Sequence, residues 1–365
     1  MRATAIAWSR FCVPLRRPLV TARGPVGQRG GLLVRLRTDT GIEGLGEASP
    51  HPAASADAVA ALEESLLALA PALLGRPVEG LLERPDAPPP LACALETAAL
   101  DALARRDGVP VAVLLGGRRE TVVPVNALAS GPTLQAARQA AVARAAGFPC
   151  LKLKVGDLPG QEAEARRVAA VRRALGQDLR LRLDANGAWS LAEASALLES
   201  LRPCGLELVE QPLPPGHLGE TARLRRSCGV AIALDEEVTG LQAACAALRA
   251  GAADALVLKP MTLGGPLAAR RIAGVALARG VGVIVTTTID SGVGTAVALH
   301  LAASLGDTGL AHGLATLGLL ADDLVRAGPV VERGAMRLTG APGLGIALDG
   351  EALARYGGPW REVSL

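Results

Sequence analysis

The sequence predicts an α/β protein whose larger part is a barrel of parallel strands. Three observations predict it. From residue 122 onward, short apolar runs alternate with Ala/Leu/Arg-rich segments of helical spacing, which is the pattern of parallel βαβ units. Eight runs can be drawn: VPVNALAS, CLKLKVG, LRLRLDANG, LELVEQP, AIALDEE, ALVLKP, VGVIVTTT and LAHGLAT. Eight strands with one crossover each close into a ring rather than an open sheet. The polar residues ending these runs also recur regularly. Lys154 to Asp184 is 30 residues, and the next steps, to Glu210, Asp235 and Lys259, are 26, 25 and 24. Those spacings lie close to the ~30-residue βαβ unit.

The elements outside the barrel follow in order. In the first 50 residues, LLVRLRT, a turn at Asp39-Thr40-Gly41 and IEGLGEAS read as a hairpin. Residues 54–108 are Ala/Leu-rich with helical spacing, as in ALETAALDALARR, and the rhythm changes near Gly116-Gly117. After about residue 325 the βα rhythm stops, and VVERGAMRLTG and LGIAL read as short strands that rejoin the N-terminal region. The expected division is residues 1–118, completed by 325–365, around a barrel of 119–324.

Composition narrows the function. A net charge of +3 offers no strong electrostatic case for nucleic acid or an anionic membrane. No apolar run reaches the ~20 residues of a membrane helix, and the start, MRATAIAWSRFCVP, lacks a signal peptide's apolar region. The six scattered cysteines form no CxxC pair and read as reduced core thiols of a cytoplasmic protein. The sequence is compatible with either a monomer or a homo-oligomer. The 38 cations hold one further signal, because only Lys152, Lys154 and Lys259 are lysine. Arginine stays protonated, whereas lysine can be tuned to act as a base, so these three mark positions where arginine cannot substitute.

All three fall at strand ends, and a barrel gathers those ends on the face where such enzymes place their active sites. In Lys152-Leu153-Lys154 the period-two alternation puts both ammonium groups on one side. The third strand ends Arg182-Leu183-Asp184-Ala185-Asn186, the fourth Glu210-Gln211-Pro212, the fifth Asp235-Glu236-Glu237 and the sixth Lys259-Pro260. Carboxylates on three successive strand ends repel unless a hard cation neutralises them. Mg²⁺, with Mn²⁺ as a substitute, prefers such oxygen ligands together with water and substrate. The expected ligands are Asp184, Glu210 and either Asp235 or Glu236. Lysines facing each other across a metal-bound carboxylate suit removal of the proton α to it, so the expected substrate is a small carboxylate. A desolvated lysine beside the metal is expected to have its pKa lowered enough to act as the base.

Taken together, Lys-x-Lys, then Asp, Glu and Asp, then Lys, on strands two to six resemble the muconate-lactonizing subgroup of the enolase superfamily, whose sites pair Lys or His bases with Mg²⁺. The resemblance spans nearly the whole chain. It implies a modified (β/α)7β barrel under an α+β capping domain built from the N-terminal region and the tail. It also implies that Asp235 is the ligand and Glu236 a neighbour of the metal site, that Lys154 is the acid/base, and that Lys152 assists at the substrate carboxylate. Lys259 would stay cationic over the substrate. Arg182 and Asn186, two residues before and after the metal Asp, fit the same pattern.

Within the subgroup, RGGLLVRL (29–36), GEASPHP (46–52), CALET (93–97) and TTTIDSGVG (286–294) resemble o-succinylbenzoate synthases. That likeness implies syn elimination of water from a cyclohexadiene carboxylate in menaquinone biosynthesis. It also places Thr287, Ser291 and Gly292 at a substrate carboxylate. His51 would lie in a loop closing over the substrate, and Arg23 or Arg29 would meet the succinyl group. N-succinylamino acid racemases, dipeptide epimerases and muconate cycloisomerases carry the same constellation. HGLAT (312–316) lacks the Asp-x-Asp of the dipeptide epimerases. Asp290 sits where cycloisomerases carry an acidic residue. A relative that only binds a ligand would be free to lose these residues, and all are present.

Overall fold

In a computed structural model of the chain, which describes residues 1–21, 24–55, 57–83, 86–158 and 160–365, the N-terminal alternation forms a long antiparallel sheet. Strand β1 (Ala3–Thr21) pairs with β2 (Gly24–Thr38), and β2 pairs with β3 (Glu43–Ala48). Helices α1 (Ala58–Leu73), α2 (Pro89–Arg106) and α3 (Val111–Leu114) follow. The glycines of GLGEAS explain how close β3 lies to α2. A Cβ on Gly44 would stand 1.9 Å from the Ala98 carbonyl oxygen, and one on Gly46 would stand 2.0 Å from that of Ala94. Only glycine lets sheet and helix backbones approach this far.

Strand β4 (Glu120–Pro124) leads into seven parallel strands: β5 (Asn126–Ala129), β6 (Cys150–Lys154), β7 (Arg180–Asp184), β8 (Leu206–Glu210), β9 (Ala231–Leu234), β10 (Ala255–Leu258) and β11 (Gly282–Val285). They lie in sequence order, the arrangement right-handed βαβ crossovers produce. The crossovers are α4 (Thr133–Ala145), α5 (Gln161–Leu175), α6 (Leu191–Ser200), α7 (Leu218–Ser227), α8 (Leu241–Ala250) and the pair α9 (Pro260–Leu263) and α10 (Pro266–Leu277). Helix α11 (Gly292–Ser304) follows β11. Leu151, Leu153, Leu181, Leu183, Val209, Ile232, Leu256 and Val285 join the large core. Leu208, Ala233, Ala255, Val257 and Ile284 form a separate cluster inside the curl, as period-two alternation requires.

The run LAHGLAT does not form a full eighth strand. Only His312 and Gly313 bridge, to Val125 and Thr286, and these two residues link the first and last strands of the ring. The tail also departs from expectation. Strands β12 (Val325–Ala327), β13 (Val331–Glu332), β14 (Ala335–Thr339) and β15 (Ala347–Leu348) precede α12 (Gly350–Tyr356) and β16 (Arg361–Ser364). VVERGAMRLTG pairs with β4 rather than with the N-terminal sheet, and LGIAL supplies only β15, which pairs with β12. It is β16 that rejoins β1, with Ala5 opposite Ser364. The capping sheet therefore has the order β16-β1-β2-β3. Among the described residues no helix is long and apolar enough to cross a membrane.

Helix α11 carries a buried pH-sensitive tie. His300 Nδ1 accepts from the Ala112 N–H (3.0 Å), and Nε2 lies 3.1 Å from the Leu344 carbonyl, so the ring is a neutral Nε2–H tautomer. Burial pushes its pKa down to about 4. The unfolded chain takes up this proton near pH 6.5, so the stabilisation is complete above that pH and is lost as pH falls toward 4. From pH 7 to 5 the protein is expected to lose about 2 kcal/mol more than His300→Gln does. Urea unfolding at both pH values measures this, and parallel losses in the two proteins would refute it.

Candidate active site

The C-terminal ends of β6 to β10 bring the lysines and carboxylates together. Parallel register sets Lys154 beside Asp184 and Asp184 beside Glu210. Lys152 Nζ donates to both Glu210 oxygens (2.9 and 3.1 Å) and lies 3.0 Å from Asp184 Oδ2. Lys154 Nζ donates to Asp184 Oδ2 (2.6 Å) and to Asn186 Oδ1 (2.9 Å). Lys259, one residue beyond β10, donates to Asp235 Oδ2 at 2.5 Å. Asp235 lies one residue beyond β9, and its N–H donates to Gln211 Oε1 (3.1 Å). Asn186 Nδ2 donates to Glu236 Oε1 (2.8 Å), while Glu236 Oε2 is buried with no hydrogen-bond partner. Asn186 and Gln211 both hold positive φ, 44° and 40°, which lets the chain turn sharply after its strand, so that the Asn186 amide meets Glu236 and the Gln211 amide holds the Asp235 and Glu237 N–H groups.

Charge dominates this cluster. Asp184 is fully buried and Glu210 is 1% exposed. Burial, then the Asp184 carboxylate, pushes the Glu210 pKa up to about 7. Burial and Asp235 raise Glu236 as well. For Asp184 the Lys152 and Lys154 ammonium groups outweigh burial and hold it well below the usual carboxylate range. Burial acts to lower Lys152 and Lys259, but their carboxylate neighbours prevail and raise both. A cation shared among those carboxylates would offset the field that raises them.

The donor set suits such a cation. Asp184, Glu210 and Asp235 stand on adjacent strand ends and offer only oxygen, the ligand chemistry of Mg²⁺. Their mutual repulsion, seen in the raised Glu210, is what a divalent ion relieves. As placed, each is turned onto a lysine, and among the described residues no three acidic, His or Cys groups converge as a ligand set.

Other residues singled out from sequence lie farther from this cluster or are already engaged. Arg182 is fully buried lower in the barrel, donating to Glu207 Oε2 (2.5 Å) and the Ala311 carbonyl (2.7 Å). Thr287 Oγ1 shares a hydrogen bond with Thr316 Oγ1 (2.6 Å). The Ser291 hydroxyl donates to Glu47, and the Gly292 N–H donates to Asp323 Oδ1 (2.8 Å). His51 is exposed, its Nδ1 accepting from the Ala53 N–H (3.1 Å). Arg29 is buried between loops, and Arg23 lies outside the described residues. Asp290 is buried against Thr288 and Arg29, so its carboxylate is already engaged by protein groups. Glu47 was not anticipated. Its only sign in the sequence is an acid embedded in the small, apolar run GLGEAS.

A curled parallel sheet with lysines and buried carboxylates at its strand ends, beside a separate N-terminal capping domain, is the architecture of an α/β enzyme. The chain belongs to the enolase superfamily. Residues 135–352 match the enolase C-terminal domain-like family, and residues 5–116 match the mandelate racemase / muconate lactonizing enzyme N-terminal domain. It is 34% identical to a chloromuconate cycloisomerase of Cupriavidus pinatubonensis, over 94% of this chain and 95% of that protein. It is 30% identical to the L-Ala-D/L-Glu epimerase of Bacillus subtilis, over 95% and 97%. The crystal structure of muconate lactonizing enzyme from Pseudomonas fluorescens, complexed with muconolactone, superposes with a TM-score of 0.91 at 30% identity. That match covers 98% of this chain and all of the other.

Proposed function

We propose that this enzyme is a cycloisomerase acting on muconate-type dicarboxylates. The likeness to cycloisomerases over nearly the full chain carries this reading. A muconate closes when one carboxylate oxygen adds to the far double bond, at the carbon β to the other carboxylate. The electrons move toward the other carboxylate, and the carbon α to it takes a proton; ring opening is the reverse. Lys154 is the residue we assign to that transfer. Its ammonium is held by Asp184 and Asn186, and its side chain is 43% exposed at the barrel mouth. Lys152 keeps its charge against Glu210 and Asp184, where a substrate carboxylate would need a counter-charge. Asp184, Glu210 and Asp235 would hold Mg²⁺, which when bound offsets the charge that develops on the substrate carboxylate.

One observation favours a second reading. Lys154 ends β6 and Lys259 follows β10, four strands apart around the ring, so the lysines rise from opposite walls. Removal of a proton by one and its return by the other would epimerise a substrate. The Bacillus subtilis epimerase and the N-succinyl Arg/Lys racemase of Bacillus cereus (25% identical, TM-score 0.91, both chains fully covered) support it. The stretches that resemble o-succinylbenzoate synthases lie in β2, β3, α2 and the loop entering α11. They build the cap and its junction with the barrel, and the relatives reported for the chain are cycloisomerases, an epimerase and a racemase. Dehydration to o-succinylbenzoate is therefore the least supported of the three outcomes.

The test is to incubate the purified enzyme with muconate, with N-succinyl amino acids and dipeptides, and with the o-succinylbenzoate precursor. Loss of muconate ultraviolet absorbance is the expected result, and turnover of another substrate alone would displace this reading. EDTA is expected to abolish activity and added Mg²⁺ or Mn²⁺ to restore it; indifference to EDTA would remove the metal from the proposal.

A further inference from the structure

Two buried residues of the capping sheet reach across to the loop joining β11 to α11. Glu47, 1% exposed at the end of β3, is the acceptor at the start of α11. Its Oε1 accepts from Ser49 Oγ (2.7 Å) and the Ser291 N–H (3.2 Å). Its Oε2 accepts from Ser291 Oγ (2.5 Å) and the Gly294 N–H (2.9 Å). Arg29, 3% exposed in β2, spreads its guanidinium over the same loop. It donates to the Ile289 carbonyl (3.0 Å), to Thr288 Oγ1 (3.1 Å) and to the Pro50 carbonyl, and it lies 3.7 Å from Asp290 Oδ1.

The loop these residues grip is strained and borders the reacting groups. Ile289 holds φ 63°, a left-handed conformation that a β-branched residue rarely adopts. Strain of this kind persists only where surrounding contacts over-determine it, and here the cap supplies the side-chain hydrogen bond to the Ile289 carbonyl itself. The room is also reserved: a Cβ on Gly294 would lie 2.6 Å from Asp290 Cβ and 3.1 Å from Glu47 Oε2. On its other side the loop continues β11, and the Thr286 N–H donates to the Leu258 carbonyl (2.9 Å), next to Lys259. The same guanidinium that grips Ile289 also grips Pro50, beside His51. One arginine thus joins the 50–51 loop of the cap to the Thr286–Ser291 loop of the barrel.

We propose that Glu47 and Arg29 are positioning residues that set the Thr286–Ser291 loop beside Lys259, so that the cap determines how the substrate is held. Their polar atoms are engaged by the loop, so they act on binding through it. This rests on the reading of the Lys154/Lys259 face as the reaction site, and one of its two readouts does not need that reading.

The experiment compares the full-length protein with Glu47→Gln, which turns an acceptor into a donor facing the Ser291 and Gly294 amides, and with Arg29→Lys, which keeps the charge and loses the fork. Hydrogen exchange by mass spectrometry is read for residues 286–294 and for β6 to β9. KM and kcat are measured on whichever carboxylate substrate the wild type turns over. The expected result in both variants is exchange at 286–294 faster by about tenfold or more, with β6 to β9 unchanged. KM is expected to rise about tenfold while kcat stays within about threefold, the signature of lost ground-state positioning. Unchanged exchange at 286–294, or faster exchange with KM unmoved, would overturn the proposal. If Glu47→Gln does not fold, Arg29→Lys decides by the same two readouts. A wild type inactive on every carboxylate would refute the reaction site, while the exchange result would still report whether the cap holds the loop.

Discussion

Lys154→Ala is expected to lower turnover by about 10³-fold or more while leaving the protein folded and able to bind Mg²⁺. The size follows from the role: a general acid/base contributes about 10²–10⁴, and no other described group donates to Asp184 and Asn186 together. The fold should tolerate the loss. Asp184 keeps Lys152 Nζ at 3.0 Å, so no buried charge is left without a partner. The Lys154 side chain is itself 43% exposed and adds little packing. Circular dichroism and calorimetric Mg²⁺ titration check fold and metal, and turnover checks the role. Activity above about a tenth of wild type would remove Lys154 as the proton carrier.

What sequence shows of such a site depends on whether a residue's task leaves a local mark. Lys152 and Lys154 stand out because arginine fills nearly every other cationic position, and because alternation along five residues of strand is short-range information. Asp184, Glu210, Asp235 and Lys259 stand out because a parallel barrel repeats its unit at near-constant length. The seven barrel strands are legible for the same reason. Where structure depends on distant partners, sequence falls silent. The run LAHGLAT looks like its neighbours, yet it keeps only two bridging residues. The strand that returns to the cap is β16, and nothing in REVS distinguishes it from VVERGAMRLTG, which pairs with β4 instead. Glu47 and Arg29 meet the β11–α11 loop across more than 240 residues of chain, so their pairing has no spacing to read. The likeness to o-succinylbenzoate synthases says little about substrate for a related reason: its stretches serve the cap and its contact with the barrel.

Lys259→Arg is the substitution that divides the two chemistries left open by this architecture. Arginine at this position keeps a positive charge toward Asp235 and cannot release a proton at neutral pH. If the enzyme closes and opens a lactone with Lys154 alone, Lys259 supplies charge, and the Lys259→Arg enzyme should retain roughly a hundredth to a tenth of wild-type turnover. If it epimerises, Lys259 must take or return the second proton, and inversion should fall by about 10³-fold or more. Poor fit of the larger head group could also depress activity, so inversion alone does not decide. The deciding readout is deuterium uptake at the α carbon in heavy water. An epimerase whose Lys259 is replaced still exchanges the proton of the enantiomer facing Lys154 while failing to produce the other. A cycloisomerase instead incorporates solvent deuterium into the lactone at the rate at which it turns over. Undiminished inversion in Lys259→Arg would contradict a proton-carrying Lys259, because arginine cannot take or return a proton at neutral pH.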